Sequence, residues 1–229
     1  MKNAIKFLVA VLLVPTTLFA VAEVCAQSGI IIKNFQNGVG FLAGAALYCV
    51  IHFSCYQFER MYVFGHETTH AVAAMFFGFR IHSISVKKDS GHVKMDRCNA
   101  AVVLAPYFVP FYAVIAGLIY LAVHLVIDAS AYRPIFVAAV GFFMAFHWVQ
   151  TFKTLWETQQ PDLKMAGGVF FSWVIILLCN AAVFSLVLKC LFPQEIFLLE
   201  MARGVVNSTY NLWKIVINYI IDQIIAARR

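Results

Sequence analysis

Long apolar runs separated by short polar stretches dominate the chain, and most of them reach the ~20 residues that an α-helix needs to cross a bilayer. The first run begins with Lys2 and Lys6, continues to Val21 and reaches Val24-Cys25-Ala26 just before Gln27. A basic start, an apolar middle and a cleavage-like end predict over 1–26 either a signal peptide or a first transmembrane helix. In both cases the basic end stays in the cytoplasm and residue 27 lies outside. From about Phe35 to Phe79 the pattern has no strong break, with Glu59 and Arg60 as its only charges before Glu67. It reads as one span continued by a buried or interfacial helix, or as two spans in a tight hairpin. Loop 80–97 favours the first reading: five basic residues against two acidic ones give a net +3, which belongs on the cytoplasmic side. Only an odd number of crossings between residue 27 and this loop satisfies both assignments. Inside the loop, Ile81, Ile84 and Val86 alternate imperfectly with Ser83 and Ser85. Lys88-Asp89-Ser90-Gly91 then supplies a turn before Val93 and Met95, which predicts a short β-hairpin.

Residues 98–127 form the next apolar run, with Pro106 and Pro110 near its beginning. Two prolines four apart remove backbone donors and kink the helix, which lipid tolerates only where neighbouring groups satisfy the freed carbonyls. A third span is expected over 134–152. The polar interlude 153–164 then leads through Gly167 and Gly168 into a fourth apolar run ending at Leu191. From 195 to 229, Phe197, Val205, Trp213, Ile217 and Ile224 mix with Glu200, Arg203, Lys214 and Asp222, an amphipathic pattern expected of an interfacial helix or helix pair, with a crossing over 205–221 as the alternative. No repeat or low-complexity linker divides the chain. The expectation is an all-α polytopic membrane protein: a membrane-embedded domain over 27–194 with one short hairpin, flanked by segments 1–26 and 195–229.

Composition narrows the function classes. With 62% hydrophobic and 12% charged residues over 229, the chain is no water-soluble enzyme. Its net charge of +6 sits beside the hydrophobic runs, where anionic headgroups account for it, so the expected partner is the lipid bilayer and not nucleic acid. The six cysteines are scattered without a CxxC pair and predict neither a disulfide framework nor a zinc ribbon.

The chemistry is concentrated in Phe64-Gly65-His66-Glu67-Thr68-Thr69-His70-Ala71. On a helix, His66 and His70 are four apart and share a face, so both imidazoles can reach one ion, while Glu67 can serve as a general base. Zinc accepts such nitrogen donors readily and acidifies water toward a pKa of ~7. Ionisable groups within an apolar stretch are costly and functional by default. The competing reading is a set of polar contacts across a helix bundle, with Glu67 as partner of the two histidines.

The run His66-Glu67-Thr68-Thr69-His70-Ala71-Val72-Ala73-Ala74, then Phe77-Gly78-Phe79-Arg80-Ile81, then a short hairpin, resembles the site-2 protease family of intramembrane zinc metalloproteases. Asn99-Ala100-Ala101-Val102-Val103-Leu104-Ala105-Pro106 is similar to the small-residue, proline-bearing start of that family's second core helix, with Leu104-Ala105-Pro106 where the family usually has Ala-Gly-Pro. The resemblance implies a three-helix catalytic core with a membrane-associated hairpin and zinc on two histidines and a later aspartate. It also implies cleavage of locally unfolded transmembrane segments of membrane-protein substrates in a cytoplasmic (inner) membrane. The family's Leu-Asp-Gly is absent, and the element matching it in order is Gln160-Pro161-Asp162-Leu163 followed by Gly167-Gly168. By this carry-over Asp162 is the third ligand, with Asp128 and Asp96 as competitors. Glu157 is either a headgroup-facing residue or a hydrogen-bond acceptor behind the ligands.

Charge-derived topology brings the ends carrying His66 and Asp162 to the same side. His147 and Gln150 share a face near the inner end of the 134–152 run, either to orient a ligand or the scissile carbonyl, or as a polar contact within the bundle. His52 and His124 lie farther off. Two other classes compete: a haem- or metal-binding protein with His66 or His70 and His147 as axial ligands, and a non-catalytic membrane scaffold or transporter.

Overall fold

The computed structural model describes residues 2–87, 90–157 and 160–227, so Lys88 and Asp89 of the expected turn fall outside the described residues. The elements are α1 (Lys2–Gln27), α2 (Ile30–Lys33), α3 (Phe35–Ser54), α4 (Glu59–Phe76), β1 (Ile81–Val86), β2 (Gly91–Met95), α5 (Ala100–Leu104), α6 (Phe111–Val126), α7 (Arg133–Glu157), α8 (Pro161–Ala166), α9 (Val169–Leu191) and α10 (Leu198–Ala226). Among the described residues, four helical stretches are long and apolar enough to cross a membrane: Ala4–Lys33, Asn37–Ser54, Ser130–Trp156 and Val169–Leu191. A fifth crossing results if Ala100–Tyr107 and Phe111–Val126, bent by 79° at the two prolines, make one broken span. Much of the outer surface is apolar, as at Leu125, Val126 and Ile135, which suits a multi-pass protein whose solvent is hydrocarbon. The strands pair antiparallel, with Ile84 opposite Val93 and Val86 opposite Gly91.

Close backbone contact sets the bundle. α3 and α7 lie side by side and run in the same direction, with Gly40 against Pro134 and Val137, and Tyr48 against Phe142 and Phe146. A Cβ on Gly44 would come 1.8 Å from the Ala138 carbonyl oxygen, and one on Gly141 2.0 Å from that of Phe41. Small residues let the two backbones touch where lipid gives no hydrophobic drive for helix association. Gly44→Ala is therefore expected to destabilise by at least the ~1–3 kcal/mol of core overpacking. Gly117→Ala, whose Cβ would meet nothing within 4 Å, is expected to leave stability unchanged or slightly raised. Thermal unfolding of both variants in detergent checks the contrast, and equal midpoints would refute the packing argument.

α6 and α9 run opposite to α7, as shown by Tyr112 on Phe146 and Tyr120 on Phe136 for α6, and by Trp148 on Phe184 and Arg133 donating to the Leu191 carbonyl for α9. α1 accompanies α9 in the same direction, with Phe7 on Phe170 at one end and Val24 in a common core with Leu188 and Leu191 at the other. One end of the bundle therefore gathers Lys6, the α3–α4 turn, the close of α7 and α8. α10 begins at the opposite end and buries Met201; from Val206 onward many of its apolar side chains, including Ile215, Ile220 and Ile224, face outward.

The stretch 35–79, unbroken in the sequence pattern, is divided. α3 ends at Ser54, and the chain turns at Phe58, whose φ of 55° lies in the left-handed region. Tertiary contacts hold that turn. Gln150 Nε2 donates to the Gln57 carbonyl, Lys153 Nζ donates to Gln57 Oε1 at 2.7 Å, and the Phe58 ring packs on Tyr48, Phe142 and Phe146. α4, which follows, is not among the helices apolar enough to span.

Candidate metal centre

His66 and His70 lie one turn apart on α4 with ring centroids 4.9 Å apart. A distant proline orients His70. In α5 the carbonyl of Val102 would be satisfied by the N–H four residues on, but that residue is Pro106 and has none. The freed carbonyl accepts from His70 Nδ1 at 2.9 Å. Asn99 fixes α5 in place, its side chain accepting from the Val102 amide at 2.9 Å. Because a carbonyl can only accept, Nδ1 of His70 carries a proton, which in the neutral imidazole leaves the lone pair on Nε2.

Asp162 approaches from the other side on α8, a six-residue helix opened by Pro161 and closed by Gly167 and Gly168 at φ 144° and 104°. Such backbone angles suit glycine and let α8 break sharply from α9. Leu163 and Ala166 seat α8 in a core with Val103, Leu104 and Ile176. Lys6 caps its far end, Nζ donating to the Ala166 carbonyl at 2.6 Å, and packs where a Cβ on Gly167 would stand 2.3 Å from Lys6 Cδ.

Asp162 Oδ2 lies 3.6 Å from His66 Nε2 and 3.5 Å from His70 Nε2, and all three donor atoms fall within 4.8 Å of one another. These separations are long for N–H···O hydrogen bonds. They suit three donors of one cation, since ligands at zinc-like distances in a tetrahedron stand about 3.4 Å apart. Two imidazoles and a carboxylate, largely withdrawn from solvent, can hold a metal ion in this membrane-embedded helical protein. His66 Nδ1 is buried without a hydrogen-bond partner.

Glu67 is buried and lies against the hairpin: a Cβ on Gly91, the first residue of β2, would come 2.4 Å from Glu67 Cγ and 2.8 Å from Oε1. The absence of a side chain at Gly91 is what allows the strand this close. His147 is buried, its Nε2 unpartnered, and with His66 it lines a cavity of about 20 Å3, room for roughly one water. Gln150 Nε2 donates to the Gln57 carbonyl at the α3–α4 turn. Glu157 ends α7, and its side chain lies outside the described residues.

The competing carboxylates are occupied elsewhere. Asp96 accepts from the Arg80 amide at 2.9 Å and closes the base of the hairpin. Asp128 is exposed, and the Ser130 hydroxyl and amide hold its carboxyl below its usual range. His52 pairs with the Tyr48 hydroxyl at 3.0 Å, and His124 lies near Asp128. Tyr107, whose hydroxyl donates to Asp162 Oδ2 at 2.8 Å, carries no signal in the sequence beyond a hydroxyl in an apolar stretch between two prolines.

Comparison with known protein families, curated proteins and solved structures finds no match to this chain.

Proposed function

We propose that this protein is an intramembrane zinc endopeptidase that cleaves transmembrane segments of membrane-protein substrates on the cytoplasmic side of a cytoplasmic (inner) membrane. The observation that supports the metal, the part of this reading shared with a non-catalytic metal-binding protein, is the convergence of His66 Nε2, His70 Nε2 and Asp162 Oδ2. Two nitrogens and one carboxylate oxygen favour zinc, and three protein donors leave one position open, as catalytic sites do. When bound, zinc supplies a Lewis acid that acidifies water and polarises a carbonyl. Glu67 takes the proton from the attacking water and returns it to the leaving amine. Gly91 brings the edge of β2 beside Glu67, where an extended peptide can add as a further strand. The likeness to site-2 proteases supports the same roles, with α4, α5–α6 and α8–α9 as the three core helices.

A second reading, a membrane metal-binding protein without hydrolysis, is favoured by one observation: the donor set is complete without Glu67. Two imidazoles and a carboxylate converging on one point suit an ion better than haem, which is held by axial ligands. Elemental analysis of purified protein, paired with cleavage assays on a panel of single-span membrane substrates, separates the readings. About one zinc per chain with cleavage is expected. Zinc without cleavage of any substrate favours the second reading, and no bound metal, or iron with a haem band, refutes the zinc site.

A further inference from the structure

The third ligand sits on a short helix, and one hydrogen bond to its oxygen comes from a residue with no part in the proposed chemistry. Tyr107 is fully buried in the 3₁₀ turn Ala105–Tyr107, between α5 and α6. Its hydroxyl donates to Asp162 Oδ2 at 2.8 Å, the same oxygen that faces both histidine Nε2 atoms. Gln160 Oε1 is the weaker acceptor at 3.4 Å. The ring stands edge-on to His66 with centroids 5.1 Å apart. The backbone is held as well, the Tyr107 carbonyl accepting from Asn180 Nδ2 of α9 at 2.9 Å.

A carboxylate oxygen accepts along two lone-pair directions, and an Asp side chain can rotate to present either oxygen. A donor fixed on one direction of Oδ2 removes that freedom and turns the other direction toward the histidines. We infer that Tyr107 is a positioning residue for the third metal ligand, holding Asp162 Oδ2 aimed between His66 and His70. The inference rests on the reading of the cluster as a metal site. It also gives the 79° bend at Pro106–Pro110 a purpose, because the turn between the prolines is where Tyr107 meets α8.

The test measures metal affinity, so it does not depend on finding a substrate. Full-length protein in detergent is titrated with zinc against a chromogenic chelator, and cobalt is used as a spectroscopic probe. Tyr107→Phe is expected to bind zinc ~10–100-fold more weakly, as when partners behind metal ligands are removed. The cobalt visible spectrum should change while the unfolding midpoint stays close to that of the parent. Adding Tyr107→Phe to Asp162→Ala should cost nothing further, because the hydroxyl acts through that carboxylate.

Equal zinc affinity in parent and Tyr107→Phe overturns this inference alone, and so does a loss that persists in the Asp162→Ala background. Absence of metal binding in the parent overturns the metal reading and this inference with it. If Tyr107→Phe does not accumulate, 3-fluorotyrosine at position 107 keeps the ring and changes the donor. An altered cobalt spectrum then supports the inference, and an unaltered one overturns it.

Discussion

Asp162→Ala is expected to lower zinc affinity by more than the ~10–100-fold typical of losing a partner behind a ligand, and to abolish any metal-dependent activity with it. The substitution takes away one of three donors and leaves two neutral imidazoles with no anionic group to offset the ion. Asp162→Asn keeps the shape and tests the charge: a neutral amide should also bind weakly, with a normal unfolding midpoint. Asp96→Asn and Asp128→Asn should retain the metal, because their carboxylates serve the hairpin base and the turn before α7. Full zinc retention by Asp162→Ala, with loss in one of the other two, would move the third ligand elsewhere.

Glu67→Gln should separate binding from chemistry. Glu67 is outside the donor cluster, so zinc content should stay near that of the parent. Cleavage should fall by ~10²–10⁴-fold, the span of a general base's contribution. The amide matches the carboxylate in size, so the close approach of Gly91 is preserved and the loss is one of proton transfer. Undiminished cleavage in this variant would remove Glu67 from the mechanism.

The parts of the site legible in the sequence were those set by local rules. Spacing of four put His66 and His70 on one helical face, alternation marked the hairpin, and Pro161 with Gly167-Gly168 marked the break that carries Asp162. Features set by contacts between distant segments were not legible. The turn at 55–58 has no glycine or proline, because Gln150, Lys153 and three aromatic rings hold Phe58 in its left-handed conformation. Gln150, which shares a face with His147, serves this turn. Tyr107 was hidden for a related reason: a hydroxyl in an apolar run shows its purpose only once the bend has brought it against α8.

The capping of α8 by Lys6 bears on how the protein is made. The chain emerges from the ribosome N-terminus first, so α1 is produced long before the short helix it secures, and the histidine pair long before Asp162. A nascent chain that has delivered α4 but not α8 holds two imidazoles without the carboxylate that completes the donor set. Any metal-dependent capacity of the kind proposed is thus withheld until α8 has been made and docked. Completion of the bundle is the step that assembles the candidate donor set, because α8 must dock before Asp162 can meet the two histidines.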